Sequence, residues 1–195
     1  MKVIGITGSS GSGKSTIAKL VAQELDAKLV VADDIVKRMQ QPGNIYFEKI
    51  VDFLGEQYLN KEGKLNRKKI AELIFKDEEK RKQVNGLTHK YVVAEIKKQI
   101  EEANEEYVVI DVPLLIESGL NKTCSLVIGV ISDYDVQIER IKLRDGLTKE
   151  EAKARLKIQP NNEFYRKNVD YIVENNGGEN DKLLGRIRSI LQELQ

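Results

Sequence analysis

The chain has 195 residues, enough for one substantial core with room for an inserted subdomain. Its 32 Lys and Arg nearly balance 31 Asp and Glu, which argues against a nucleic-acid-binding field and against an acidic tail, and 32% charged residues suit a helix-rich, water-facing surface. A single cysteine, Cys124, excludes an internal disulfide framework, and no apolar run has membrane-spanning length, so a cytoplasmic protein without a membrane partner is expected.

Met1-Lys2-Val3 runs straight into a first strand, with Val3, Ile4 and Ile6 as its apolar residues, and leaves no room for a signal peptide. The strand is followed by Gly8-Ser9-Ser10-Gly11-Ser12-Gly13-Lys14-Ser15-Thr16, which fits G-x-x-x-x-G-K-[ST]. Ile17, Leu20, Val21 and Leu25 then recur at helical spacing. Strand, glycine loop and helix in that order gather backbone N–H groups and a helix N-terminus into one hollow suited to a polyphosphate. Gly11, Ser12, Gly13 and Thr16 belong to the cradle, Lys14 adds a point charge for the outer phosphates, and Ser15 offers a hydroxyl oxygen to Mg²⁺. A bare tight turn has no need of Lys and Ser after its last glycine. Binding of ATP or GTP is therefore expected.

Lys28 to Ala32 reads as a second strand ending at Asp33-Asp34. Acids at a strand's carboxyl end face the ligand in open parallel sheets, so one Asp can act on an acceptor hydroxyl while the other caps a helix starting near Ile35. Residues 36–104 then read as helices: Phe47, Ile50, Val51 and Leu54 mark one, Ile70, Leu73 and Ile74 another, and Leu87, Tyr91, Ile96 and Ile100 a long one, with Lys76 to Lys82 as a solvated helix face. Such a block is either an acceptor-binding arm or structural bulk. His89, the lone histidine, either touches an anionic substrate or packs against the helix.

Tyr107 to Val112 is a near-continuous apolar run, as for a central parallel strand, and Asp111 at its end either orders a metal-bound water or makes a strand-end hydrogen bond. Ser125 to Ile131 is a fourth strand, and Cys124 before it reads as a packed small hydrophobe. Gln137, Arg140 and Arg144 share one face of the next helix, either as an exposed basic face with Glu139 and Asp145 as partners or as a flap that holds arginines over phosphates. Val169 to Val173 is a fifth strand, and Leu183, Leu184, Ile187, Ile190, Leu191 and Leu194 describe an amphipathic C-terminal helix. The expected fold is α/β: a five-stranded parallel sheet with helices on both faces, a helical insertion and a short lid.

These residues, taken together, resemble the dephospho-coenzyme A kinase family along nearly the whole chain. Thr7 to Thr16 is similar to its T-G-x-x-G-S-G-K-S-T loop, Val31-Ala32-Asp33 to its D-A-D, and Asn66-Arg67 with Ile70 to its D-R-x-x-L. Ile74-Phe75 is similar to its V-F, His89-Lys90 to its His-Pro, and Pro113-Leu114-Leu115-Ile116-Glu117 to its P-L-L-F-E. Gln137, Arg140, Arg144, Asp145, Gly146 and Gln159 match its Q-x-x-R-x-x-x-R-D-G and following glutamine, and Val169 to Asn175 resembles its closing A-D-x-V-I-x-N.

The resemblance implies transfer of the γ-phosphoryl of ATP, with Mg²⁺, to the ribose 3′-hydroxyl of dephospho-coenzyme A. By that resemblance Asp33 is the base, Lys14 and Arg140 are catalytic, Arg140 and Arg144 clamp the nucleotide, and Asn175 lies near the adenine. Arg67, His89, Leu114 and Glu117 fall with Asp33 on the acceptor side. It also implies one kinase unit over 1–195, with a nucleotide core of 1–35, 105–144 and 165–195, an acceptor insertion of 36–104 and a lid of 140–164, and no nucleic acid or obligate protein partner. Val31 replaces the first acid of D-A-D, so any role of that acid is absent or moves to Asp34 or Asp111; Lys90 replaces the proline.

Three other readings compete. A nucleoside or shikimate-type kinase would share loop and architecture but not acceptor. A GTP switch would need N-K-x-D, where Asn121-Lys122-Thr123-Cys124 ends in a residue unable to accept the guanine N–H bonds. A nucleotide-binding regulator without catalysis would bind ATP and turn over no acceptor.

Overall fold

Five short strands, β1 (Lys2–Thr7), β2 (Lys28–Val31), β3 (Tyr107–Asp111), β4 (Leu126–Ile131) and β5 (Tyr171–Glu174), form one parallel sheet in the order β2-β3-β1-β4-β5. The computed structural model describes residues 1–178 and 180–194. The central strands are the near-continuous apolar runs of the sequence: every residue of β4 is buried, as are residues 108–111 of β3. Such strands have no wet face, which is why they carry apolar side chains at successive positions. Register sets Ile6 of β1 opposite Asp111 of β3 and Ile128 of β4, so the carboxyl ends of the three strands meet at one rim.

Helix α1 (Lys14–Glu24) and helix α9 (Asn180–Gln192) cover one face of the sheet. Ile17, Ala18 and Val21 of α1 and Ile187, Ile190 and Leu191 of α9 join Ile4, Ile6, Val109, Ile128 and Val173 in a single apolar cluster. On the other face Leu115 and Cys124 pack against Gly5, and helix α8 (Asn162–Asn168) lies on β4 and β5 with Tyr165 buried. Helices α6 (Tyr134–Asp145) and α7 (Lys149–Lys157) form a hairpin held by Ile138, Ile141, Ala152 and Leu156. Thr148 and Glu151 close a capping box at the start of α7.

The chain divides into two units, Met1–Val30 with the segment from Glu102 onward, and Val31–Glu101. The second unit is all-helical: α2 (Ala32–Met39), α3 (Ile45–Leu54), α4 (Arg67–Lys76) and the 24-residue α5 (Glu78–Glu101), against which the other three pack. Tyr46 meets Tyr91 edge to face at 5.9 Å, and its hydroxyl lies 2.8 Å from that of Thr88.

Several boundaries differ from the sequence expectation. β2 stops at Val31 and α2 begins at Ala32, so Asp33 and Asp34 lie inside the first turn and neither is the N-cap; Val31 holds that position with no side-chain cap. Lys76 to Lys82 is not one helix face but the junction of α4 and α5, where Asp77 accepts from the Lys80 N–H at 2.9 Å. Helix α8 was not expected: at seven residues with one buried side chain it has no apolar stripe to betray it. Among the described residues, no helix is long and apolar enough to cross a membrane.

Candidate active site

The loop between β1 and α1 is shaped by glycines at positive φ. Gly11 has φ 77°, and Gly13, with φ 86°, is the N-cap of α1. Among the described residues no acceptor binds the backbone N–H groups of Gly13, Lys14 and Ser15, which open the helix. With the α1 dipole behind them, they form an anion-binding hollow that no side chain needs to complete.

Polar side chains from neighbouring elements fix the loop's outer wall. Gln137 of α6 is buried and donates to Ser9 Oγ at 2.6 Å, while Gln159, beyond α7, accepts from the Ser10 N–H at 2.8 Å and donates to Ser10 Oγ at 3.0 Å. Arg140 Nη1 donates to Gly11 O at 3.1 Å, to Ser132 Oγ at 3.1 Å and to Asn175 O at 2.8 Å. Asn175, following β5, donates from Nδ2 to Ser12 O at 3.0 Å. Buried Ser132, following β4, donates to Asn175 O and faces Ser12 O. One planar guanidinium thus ties the phosphate loop to the ends of two strands. An exposed basic face on α6 is therefore overturned for Gln137 and Arg140. Arg144, one turn on, is exposed and forks onto Asp145 with two bonds of 2.8 Å, so the two arginines part company.

Inside the loop, Lys14 is nine-tenths buried and pairs with Asp111, which is 1% exposed. Asp111 Oδ2 and Ser12 Oγ are buried and have no hydrogen-bond partner among the described residues. An unsatisfied buried polar atom costs about 1–3 kcal/mol, so both atoms are poised to take a partner from outside the chain. Ser15 is exposed at the next position of α1. Among the described residues no group of three or more His, Cys, Asp or Glu could hold a metal alone. An orphaned carboxylate oxygen and one hydroxyl suit Mg²⁺, which takes few protein ligands and fills its shell with phosphate oxygens and water.

The family model for dephospho-CoA kinase matches residues 2–181. The chain belongs to the dephospho-CoA kinase family. It is 38% identical over 179 residues to the dephospho-CoA kinase of Fusobacterium nucleatum, an alignment spanning 92% of each chain. A solved structure of the dephospho-CoA kinase from Campylobacter jejuni shares 31% identity with a TM-score of 0.68, covering 100% of this chain and 98% of that one. The crystal structure of TT1252 from Thermus thermophilus superposes with a TM-score of 0.82 at 28% identity, with the same coverage.

The residues that the family resemblance puts on the acceptor side lie on both units. Asp33 is exposed in the first turn of α2 and has no hydrogen-bond partner among the described residues, whereas its neighbour Asp34 binds Lys37 at 2.9 Å. Arg67 opens α4 and is exposed; His89 is half-buried on α5. Leu114, 44% exposed, and Glu117 follow β3 in the segment that also holds buried Leu115. Sequence reasoning missed Ser132 as part of the site. Its signal was position, a hydroxyl directly after a buried strand, at the rim where parallel sheets collect ligands.

Proposed function

We propose that the protein transfers the γ-phosphoryl group of ATP to the ribose 3′-hydroxyl of dephospho-coenzyme A, the last step of coenzyme A biosynthesis, with Asp33 as the base. The observation that supports it is the phosphate loop, an anion hollow with a buried lysine; family membership supports the acceptor. Asp33 takes the acceptor proton as the new oxygen–phosphorus bond forms and the bond from the γ-phosphorus to its bridging oxygen breaks, with ADP leaving; its carboxylate is available because it sits in the first turn of a helix with no partner of its own among the described residues.

The remaining residues position and neutralise. Loop N–H groups and Lys14 hold the β- and γ-phosphates, and Arg140 keeps the loop in shape through the carbonyls of Gly11 and Asn175. Ser15 and Asp111 would hold Mg²⁺, which when bound neutralises charge developing on the phosphate oxygens. Arg144 joins the phosphates once it leaves Asp145, and Asn175 lies by the adenine. Arg67, His89, Leu114 and Glu117 serve the acceptor, and residues 140–164 act as a lid. The protein works in the cytoplasm on free small molecules, without nucleic acid, membrane or an obligate protein partner.

The test is mass spectrometry of the product from purified protein, ATP, Mg²⁺ and dephospho-coenzyme A. A coenzyme A bearing the 3′-phosphate is expected. ADP release with shikimate or a nucleoside, and none with dephospho-coenzyme A, would overturn the assignment.

A further inference from the structure

Two Asn-Gly pairs occur in the chain, Asn85-Gly86 and Asn176-Gly177. In such a pair the glycine nitrogen can close on the side-chain amide ahead of it, because no side chain on the glycine blocks the approach. All four residues are exposed, so access to water does not separate the pairs. The backbone separates them. Asn85 and Gly86 lie inside the 24-residue helix α5, where the helical ladder engages the glycine N–H and keeps it from the preceding side chain. Asn176 and Gly177 lie in the loop after β5, and the Gly177 N–H has no acceptor among the described residues.

The surroundings of the loop favour ring closure at Asn176. Gly177 has φ 87° and Gly178 φ 113°, a path that residues without side chains follow freely. A Cβ at Gly177 would meet nothing within 4 Å, so no neighbour obstructs its nitrogen. The backbone N–H of Asp133, the N-cap of α6, donates to Asn176 Oδ1 at 2.7 Å. That bond draws electrons from the side-chain carbonyl and faces the oxygen on which charge builds when a nucleophile adds to Cγ.

We propose that Asn176 is a site of spontaneous deamidation, and that its conversion loosens the hold on the donor nucleotide. The Gly177 nitrogen gives its proton to hydroxide and attacks Asn176 Cγ. As the new nitrogen–carbon bond forms, the bond from Cγ to the side-chain nitrogen breaks, and that nitrogen leaves as ammonia with a proton from water. The product is a succinimide ring. Water then adds to either ring carbonyl and breaks its bond to the ring nitrogen, which takes back a proton. Opening at Cγ leaves aspartate; opening at the main-chain carbonyl leaves isoaspartate, whose main chain is longer by a methylene. Both products add a negative charge next to Asn175, whose carbonyl accepts from Arg140 at 2.8 Å and whose Nδ2 donates to Ser12 O at 3.0 Å. The change therefore reaches the ties that shape the phosphate loop.

Peptide mass spectrometry of full-length protein aged in mildly alkaline buffer tests this, with Asn85 as the internal reference. Asn176 is expected to convert faster than Asn85 by about tenfold or more, because Asn85 must wait for α5 to open locally, and the two are expected to convert alike in urea. Equal rates in the folded protein would overturn the assignment. Asp133→Pro fits the φ of −61° and removes the N–H donor, so it is expected to slow conversion by about tenfold, while Asp133→Ala keeps that N–H and the rate of the parent. Equal rates in those two variants would overturn the role given to the Asp133 N–H. Asn176→Asp carries the charge without the longer main chain; it is expected to raise the KM for ATP by about twofold, and aged protein rich in isoaspartate by more. Aged protein with the KM of fresh protein would contradict the link to the donor nucleotide.

Discussion

Lys14, the first residue of α1, pairs with Asp111 at the end of β3, and the second oxygen of that carboxylate has no partner among the described residues. The loop lysine is thus held at the phosphate hollow by an acid that itself retains a free ligand position. A buried pair of this kind is weak evidence for stability, because desolvation offsets most of the attraction. Its use here is to fix where the cation waits.

Breaking the pair from one side leaves a buried charge. Asp111→Ala is expected to destabilise the protein by about 3–5 kcal/mol, read from urea denaturation. Metal-free ATP offers Lys14 a replacement anion, so it should raise the melting temperature of this variant more than that of the parent. A loss below about 1 kcal/mol would show that the pair does not form in solution.

Gly11 is irreplaceable for two separable reasons. Its φ of 77° is strained for any L side chain, and a Cβ there would lie 2.6 Å from the Gln137 carbonyl oxygen. Gly146 has a similar φ of 67° with nothing within 4 Å of its Cβ position. Gly146→Ala is therefore expected to cost only the backbone strain, about 1–3 kcal/mol, with ATP affinity unchanged. Gly11→Ala should lose at least that stability and about tenfold or more in ATP affinity, measured by titration calorimetry, because the loop must move away from α6.

Arg140 acts through geometry more than charge. A lysine keeps the charge but cannot reach Gly11 O, Ser132 Oγ and Asn175 O from one planar group. Arg140→Lys should raise the KM for ATP by about tenfold, roughly the worth of one or two lost hydrogen bonds, and Arg140→Ala by more. Equal KM values for Arg140→Lys and the parent would mean that charge alone is what the loop needs.

Burial pushes the Cys124 thiol up from 9.0 to about 12. The folded state therefore holds its proton where the unfolded chain has begun to lose it, so the associated stability is intact below pH 9 and declines as pH rises from 9 toward 12. At pH 8 the thiol should react with a disulfide reagent far more slowly than in urea. Equal rates in the two conditions would contradict its packing against Gly5.

Much of the fold was legible because its strands are buried on both faces and spell themselves as apolar runs; Tyr107 to Asp111 and Leu126 to Ile131 need only length and composition to be read. The phosphate loop was legible because its glycines, lysine and serine are required at fixed spacing by the backbone path. The start of α2 was not, since two acids after a strand fit a cap and a first turn equally well. Gln137 and Arg140 left two readings open for another reason: polar residues at helical spacing signal solvent as readily as a site, and here they face loop carbonyls and hydroxyls that replace water. Nothing local in a sequence separates those two environments.

The base assignment is the claim on which the mechanism turns, and Asp33→Asn is its most direct test. The substitution preserves size and removes the proton acceptor while leaving every loop contact intact. Measured as coenzyme A formed per enzyme at saturating ATP and dephospho-coenzyme A, kcat is expected to fall by about 10²–10⁴-fold with the dissociation constant for ATP unchanged. A kcat within a few-fold of the parent would contradict it.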